Sequence, residues 1–227
     1  VFQINSWTRL GGPALPNFSQ TDMSTEPSVP CASTKADVRR AQILEAAEAC
    51  FREFGFHNAS ISKICKRAGM SPGHVYHYFE NKEAIIEGIV RAKADTILER
   101  VEALRTAPDV LDATIDKAGE GIADKLDPDF AAIDLEIVAE ACRNPSVAMI
   151  VQQADREVLN NFKEVVRALR RDLGHNDSDE TIDALGDMIA TLFDGITVRG
   201  IKHPDMHRDE LVSLFEKVLR FLIVDWR

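Results

Sequence analysis

Five side chains within nine residues, His74, Tyr76, His77, Tyr78 and Lys82, hold the densest chemistry in the sequence. Imidazoles, phenols and an ammonium at this spacing are donors for phosphate oxygens and base edges. Two other readings compete. His74 and His77, three apart, could hold a metal, but no carboxylate or thiol stands at helical spacing beside them. Tyr76 could be a core aromatic, although Val75 and Phe79, four apart, are the pair that can point into a core, which leaves His74, Tyr76, His77 and Tyr78 toward the outside or the rim. No Gly-rich phosphate loop, G-x-S-x-G elbow or H-E-x-x-H spacing supports an enzyme.

The segment that carries these groups, "AGMSPGHVYHYFENKEAI", is too short to be stable alone. Gly69 stops the helix before it, Ser71 caps a new one with Pro72 at its first position, and Asn81 opens the next. Upstream, Ile43, Leu44, Ala47, Cys50, Phe51 and Phe54 recur at helical spacing up to Gly55, and Ser60 can cap "ISKICKRA". Two short helices joined by a Gly-containing turn, the second carrying outward polar and aromatic groups, describe a helix-turn-helix whose second helix reaches into a major groove.

Downstream, the pattern predicts a long helix from Lys82 to about Thr106, one from Asp127-Pro128 toward Arg143, a long one from Asn144-Pro145 to near Gly174, and two final helices, "DSDETIDALGDMIATLFDGITVRGI" and "RDELVSLFEKVLRFLIV". Nothing alternates with period two, so the fold class is all-α. Three segments are expected: a tail over 1–34, a helix-turn-helix domain over 35–82 and a helical ligand-binding and dimerisation domain over 83–227. Met23-Ser24 reads as a natural start and residues 1–22 as a non-native extension.

The net charge of −10 is unevenly distributed: residues 35–82 carry +3 and residues 83–227 carry −12. A small basic module on a larger acidic body points to nucleic acid as the partner. Cys31, Cys50, Cys65 and Cys142 form no C-x-x-C pair, which favours reduced thiols in a cytoplasmic protein, with Cys50 and Cys65 as small buried hydrophobes. No signal peptide or membrane-spanning run is apparent.

The run "ILEAAEACFREFGFHNASISKICKRAGMSPGHVYHYFENKEAI" resembles the DNA-binding domain of the TetR family of bacterial repressors. It has the I-L-x-A-A-x-x-x-F-x-x-x-G-[FY] first helix, the A-G-[VM]-S-x-G turn, the Y-x-[YH]-F close and the following N-K-E. "AEACRNPSVAMIV" further resembles the subgroup around the choline-responsive Bet repressors. The resemblance implies that Ser62, Pro72, Gly73, His74, Tyr76 and His77 touch bases or nearby backbone, that Tyr78 contacts a phosphate or the rim, and that Lys82 binds phosphate. Ser71 joins this set as the cap of the recognition helix. Lys63 departs from the family, standing where many members carry an acid, and either adds a phosphate contact or sits solvated. His74 stands where Thr or Asn is common, so base preference does not carry across.

The reading is a ligand-responsive repressor without a metal or other cofactor, bound as a homodimer to a palindromic duplex. The alternatives are a DNA-binding protein of this fold with an architectural or cell-division role, and a helical enzyme. Leu185, Ile189 and Leu192 on one final helix, with Leu211, Leu214, Phe215, Val218 and Leu222 on the other, are expected to form a four-helix dimer interface. Phe130, Met149, Phe162, Met188 and Phe193 are expected to wall an apolar cavity. Asp134, Glu140 or Asp187, if turned inward, would favour a cationic or amphipathic guest, since unpaired buried acids are costly; a solvated acidic face is the bland alternative.

Overall fold

In the computed structural model, which describes residues 34–226, every regular element is helical. The expectations for residues 1–22, the rest of the tail and Cys31 fall outside the described residues. Helix α1 spans Lys35–Asn58, α2 Ile61–Ala68, α3 Pro72–Tyr78 and α4 Lys82–Arg105. They are followed by α5 Val110–Lys125, α6 Pro128–Ala141, α7 Pro145–Asp172, α8 Asp179–Lys202 and α9 Arg208–Arg220, which runs into a π-helical turn, Phe221–Asp225.

Side-chain caps fix the starts. Thr34 and Asp37 form a reciprocal capping box on α1, and Ser60, Ser71, Asn81, Asp109, Asp127, Asn144 and Ser178 each accept a backbone N–H of the turn they open. Gly55, at φ 71°, breaks α1 where the sequence places a stop, and one further turn carries the chain to Asn58.

Helix α5 is an element that the sequence reading does not list. Its cap and its buried Ile115, Ala118 and Ile122 are ordinary, but Gly119 and Gly121 lower its intrinsic propensity by about 1 kcal/mol each. Packing explains Gly121: a Cβ there would lie 3.1 Å from the Phe193 ring of α8.

Two cores result. Around α1–α3, Ile43, Ala47, Phe51, Ile64, Val75 and Phe79 are buried together with Ile85, Ile86 and Ile89 of α4 and Ile133 and Ile137 of α6. The head is therefore packed directly onto two helices of the body. The second core joins α4, α5, α7, α8 and α9 through Val101, Leu104, Ile122, Val165, Ile189, Phe215 and Leu219. Cys50 and Cys65 lie in the first core, where burial pushes their thiols above the usual range, and Cys142 is exposed.

Candidate functional site

Helix α3 spans two turns and is held by a buried pair: Val75 and Phe79 are 0% and 2% exposed in the first core. The opposite face is bare. Ser71, Pro72, Gly73, His74, Tyr76 and His77 are all exposed, Tyr76 at 53%. Ser71 Oγ accepts the His74 N–H at 3.3 Å, fixing the first turn. Tyr78 is half-buried between two imidazoles, its ring centroid 5.4 Å from that of His74 and 5.1 Å from that of His77, so the three rings brace one another. Ser62 is exposed on α2, on the same head.

The two lysines of the predicted set are turned onto the end of α1. Lys63 Nζ donates to the Asn58 carbonyl at 3.0 Å and lies 3.9 Å above the Phe54 ring. Lys82 Nζ donates to the Phe56 carbonyl and lies 4.0 Å above the Phe56 ring. Burial pushes the Lys82 ammonium below its usual range, against the pull of Glu83 and Glu140. Arg40, which sequence reasoning missed, lies 4.4 Å above the Phe79 ring and points at the Tyr78 carbonyl, beside the exposed helix. Its signal in the sequence is faint, because nothing in the spacing ties residue 40 to residue 79. Among the described residues, only Arg52 and Arg67 of the eight Lys/Arg in 35–82 face a carboxylate. Six of the head's cations therefore stand outside any ion pair, on a module of net charge +3, and can meet a polyanion.

A latch ties this head to α6. Glu136 accepts the Phe56 N–H at 2.6 Å, directly after the Gly55 break. Glu140, buried at 2%, lies 3.4 Å from His57 Nε2 and 3.1 Å from Arg143.

The body holds a cavity of about 320 Å³ between α4, α5, α7 and α8, with Phe130 of α6 at one end. Of the residues expected to wall it, Phe130, Phe162 and Phe193 do so. Four do not. Met149 and Met188 are turned outward, 64% and 50% exposed. Glu140 belongs to the head latch, and Asp134 is drawn away by Lys93 and Lys125. Asp187 is exposed and paired with Lys163. The acids that suggested a cationic guest therefore do not line the cavity; its lining cations are Lys93, Arg100, Lys117 and Lys125.

The expected interface residues also divide. Leu185, Ile189 and Phe215 are buried in the body's own core, and Leu192, Leu211 and Leu222 are half-buried against it. Leu214 and Val218 are exposed, as are Met188, Val198 and Ile201 of α8 and Phe221 of the π-helical turn. Gly195 of α8 is exposed as well, and a Cβ there would meet nothing of its own chain. Helices α8 and α9 are apolar on two sides, and helical spacing alone did not reveal which side faced inward.

Comparison with known proteins gives two family matches: residues 43–89 match the model described as bacterial regulatory proteins, tetR family, and residues 122–223 match the C-terminal domain of the BetI-type transcriptional repressor. The transcriptional regulator UidR of Escherichia coli K12 is 34% identical over 123 residues, which is 52% of this chain and 60% of UidR, so the chain spans less than two thirds of that relative. The regulator BetI of Escherichia coli O157:H7 is 30% identical over 170 residues, 71% of this chain and 82% of BetI. Among solved structures, Salmonella enterica GusR superposes with a TM-score of 0.69 at 25% identity, covering 84% of this chain and 97% of GusR. Among the described residues, no helix is long and apolar enough to cross a membrane.

Proposed function

The chain belongs to the TetR family of bacterial regulatory proteins, and from that premise we propose that it represses transcription as a homodimer on a palindromic operator and is released by a small molecule in the body cavity. Residues 35–82 read the DNA, and residues 83–227 bind the effector and dimerise. Its place of action is the cytoplasm, where the DNA is. The observation that carries this reading is the pairing of an exposed, capped α3 with a cavity lined by the far part of α4, the helix that begins beside α3. The cavity is also what favours an effector over the architectural reading, which needs none.

Coupling follows from the connections. Helix α4 runs from Lys82 at the DNA end to Lys93, Ile97 and Val101 on the cavity wall, and α6 runs from Phe130 in the cavity to Glu136 on the Phe56 N–H. A guest that shifts either helix moves the head, by no more than its preference between the two states allows. Glu136→Ala, which removes the acceptor of the Phe56 N–H, should leave the guest's affinity for free protein unchanged and reduce its effect on operator affinity. An unaltered coupling, read by titrating guest against labelled operator, would remove the latch from the pathway.

The exposed apolar residues of α8 and α9 support a two-fold four-helix interface. Leu214→Glu, at a position 59% exposed in the single chain, should leave the fold intact and convert the dimer to monomer at micromolar concentration, because the new charge would be buried unpaired. Sedimentation velocity tests this; a variant that remains dimeric places the interface elsewhere. The overall reading is tested by selecting genomic fragments with the purified protein: recovery of a palindrome supports it, and binding without sequence preference refutes it.

A further inference from the structure

We propose that the cavity takes an amphiphile by an anionic head, seated beside the ammonium groups of Lys93 and Lys125, with the apolar tail against Leu104, Phe162, Ile189 and Phe193. This deepens the effector reading and rests on it only for the consequence at the DNA.

The central observation is an ammonium without an acceptor. Lys93 Nζ is shut off from solvent and makes no hydrogen bond. Its nearest carboxylate oxygen, Asp134 Oδ1, is 3.8 Å away, and it sits 3.8 Å above the Phe130 ring. An ammonium has three donors, and burying them without an acceptor is costly. Asp134 commits its other oxygen to Lys125 at 3.1 Å, so one carboxylate is divided between two lysines. The two lysines differ accordingly. Burial pushes Lys93 below the usual ammonium range, whereas at Lys125 the pull of Asp134 and Asp194 outweighs burial and raises it.

The other acids of the lining do not make up the deficit. Asp124 is held by Arg100 at 2.6 Å. Asp194 already bonds Lys125 at 3.2 Å and is 77% exposed, and Asp155 is exposed. Lys93 lines the cavity, so a turn of its side chain brings Nζ to a carboxylate or similar oxyanion there, which supplies the acceptor it lacks. A cation in the same place would meet two ammonium groups, and a neutral chain would gain only the apolar wall.

The test uses three probes of equal chain length, octanoate, octanol and octyltrimethylammonium, titrated calorimetrically into the full chain. Octanoate should bind about tenfold or more tighter than octanol, the difference expected of a charged hydrogen bond gained in a dry site, and the cation most weakly. Lys93→Met should abolish the octanoate preference and leave octanol binding unchanged, which shows the cavity still folded. Equal or tighter binding of the cation, no binding of any probe, or an octanoate preference that survives Lys93→Met would each overturn the proposal. Operator affinity is measured alongside. Lys93-dependent octanoate binding that leaves the DNA bound establishes the anion site and refutes the effector reading. DNA release by another molecule, with octanoate inert, does the reverse.

Discussion

Arg170→Ala should destabilise the protein by about 3–5 kcal/mol, the range for stripping one partner from a buried charged network. Arg170 lies on α7 and is 1% exposed, yet every N–H of its guanidinium has an acceptor. Nε and Nη2 bond both oxygens of Asp177 at 2.6 and 2.9 Å, Nη1 donates to the carbonyls of Leu222 and Ile223 at 3.1 and 2.9 Å, and Nη2 also donates to the Trp226 carbonyl at 3.0 Å. His175 packs beside the clasp: Nε2 faces the Val224 carbonyl at 3.0 Å, so it carries the proton, and Nδ1 lies 3.3 Å from Nη2, whose two hydrogens already go to Asp177 and Trp226. The π-helical turn and the C-terminal end of the described chain are thus tied to α7 by one side chain. Removing it leaves a carboxylate and three carbonyls without partners. Lysine should restore little, having three donors at a point instead of a planar fork of five.

The acid limb of stability adds a signature. Hydrogen bonds from Arg170 hold the Asp177 carboxyl below its usual range, against some burial. A depressed folded value means that this contribution is present above the unfolded value of about 3.9 and is lost as pH falls through the folded one. Arg170→Ala should therefore flatten the fall in stability below pH ~4 as well as lower the plateau. Urea unfolding at pH 7 and along an acid series measures both. A variant within about 1 kcal/mol of the parent, with the same acid limb, would show that the clasp contributes nothing net.

Nothing in the sequence announces this clasp, and the reason is distance along the chain. Arg170 and Trp226 are brought together by the fold of α8 and α9, whereas the head is written in local signals. Ser60, Ser71 and Asn81 cap their helices, Gly69 turns the chain, and Val75 and Phe79 are the pair that burial selects. Each of those features acts within about one helical turn, so spacing alone reveals it. The cavity was half legible for the same reason. Three phenylalanines were identified as lining residues, but Asp134 owes its orientation to Lys93, 41 positions earlier, and to Lys125 on the preceding helix. An isolated acid on an apolar helix looks inward-facing until its partners are known. At the α8 and α9 face the limit is of another kind: a helix buried on one side by its own chain and apolar on the other has two stripes, and periodicity gives them equal weight.

Operator affinity should fall on the order of a thousandfold or more between 50 and 200 mM salt, as expected when a dimer neutralises roughly 6–10 phosphates. Six of the eight basic groups of each head, Lys35, Arg39, Arg40, Lys63, Lys66 and Lys82, face no carboxylate, so a dimer carries more than enough charge for that count. The acidic body repels the duplex, and because salt screens that repulsion as well as the head's attraction, it moderates the slope rather than adding to it. Single substitutions should then divide by what they touch. Tyr76→Ala and His77→Ala remove donors from the exposed face of α3 and should cost about 1–3 kcal/mol on the operator while sparing random DNA. Lys82→Ala should weaken operator and random DNA alike and reduce the salt slope by about 1. Because Lys82 also braces the Phe56 carbonyl, its stability must be measured in parallel, and loss of DNA binding counts only with the fold intact. Fluorescence anisotropy on operator and scrambled duplexes across the salt range gives all of these values. Binding that ignores salt would remove the phosphate contacts, and a Tyr76→Ala protein that keeps full operator preference would move sequence reading off α3.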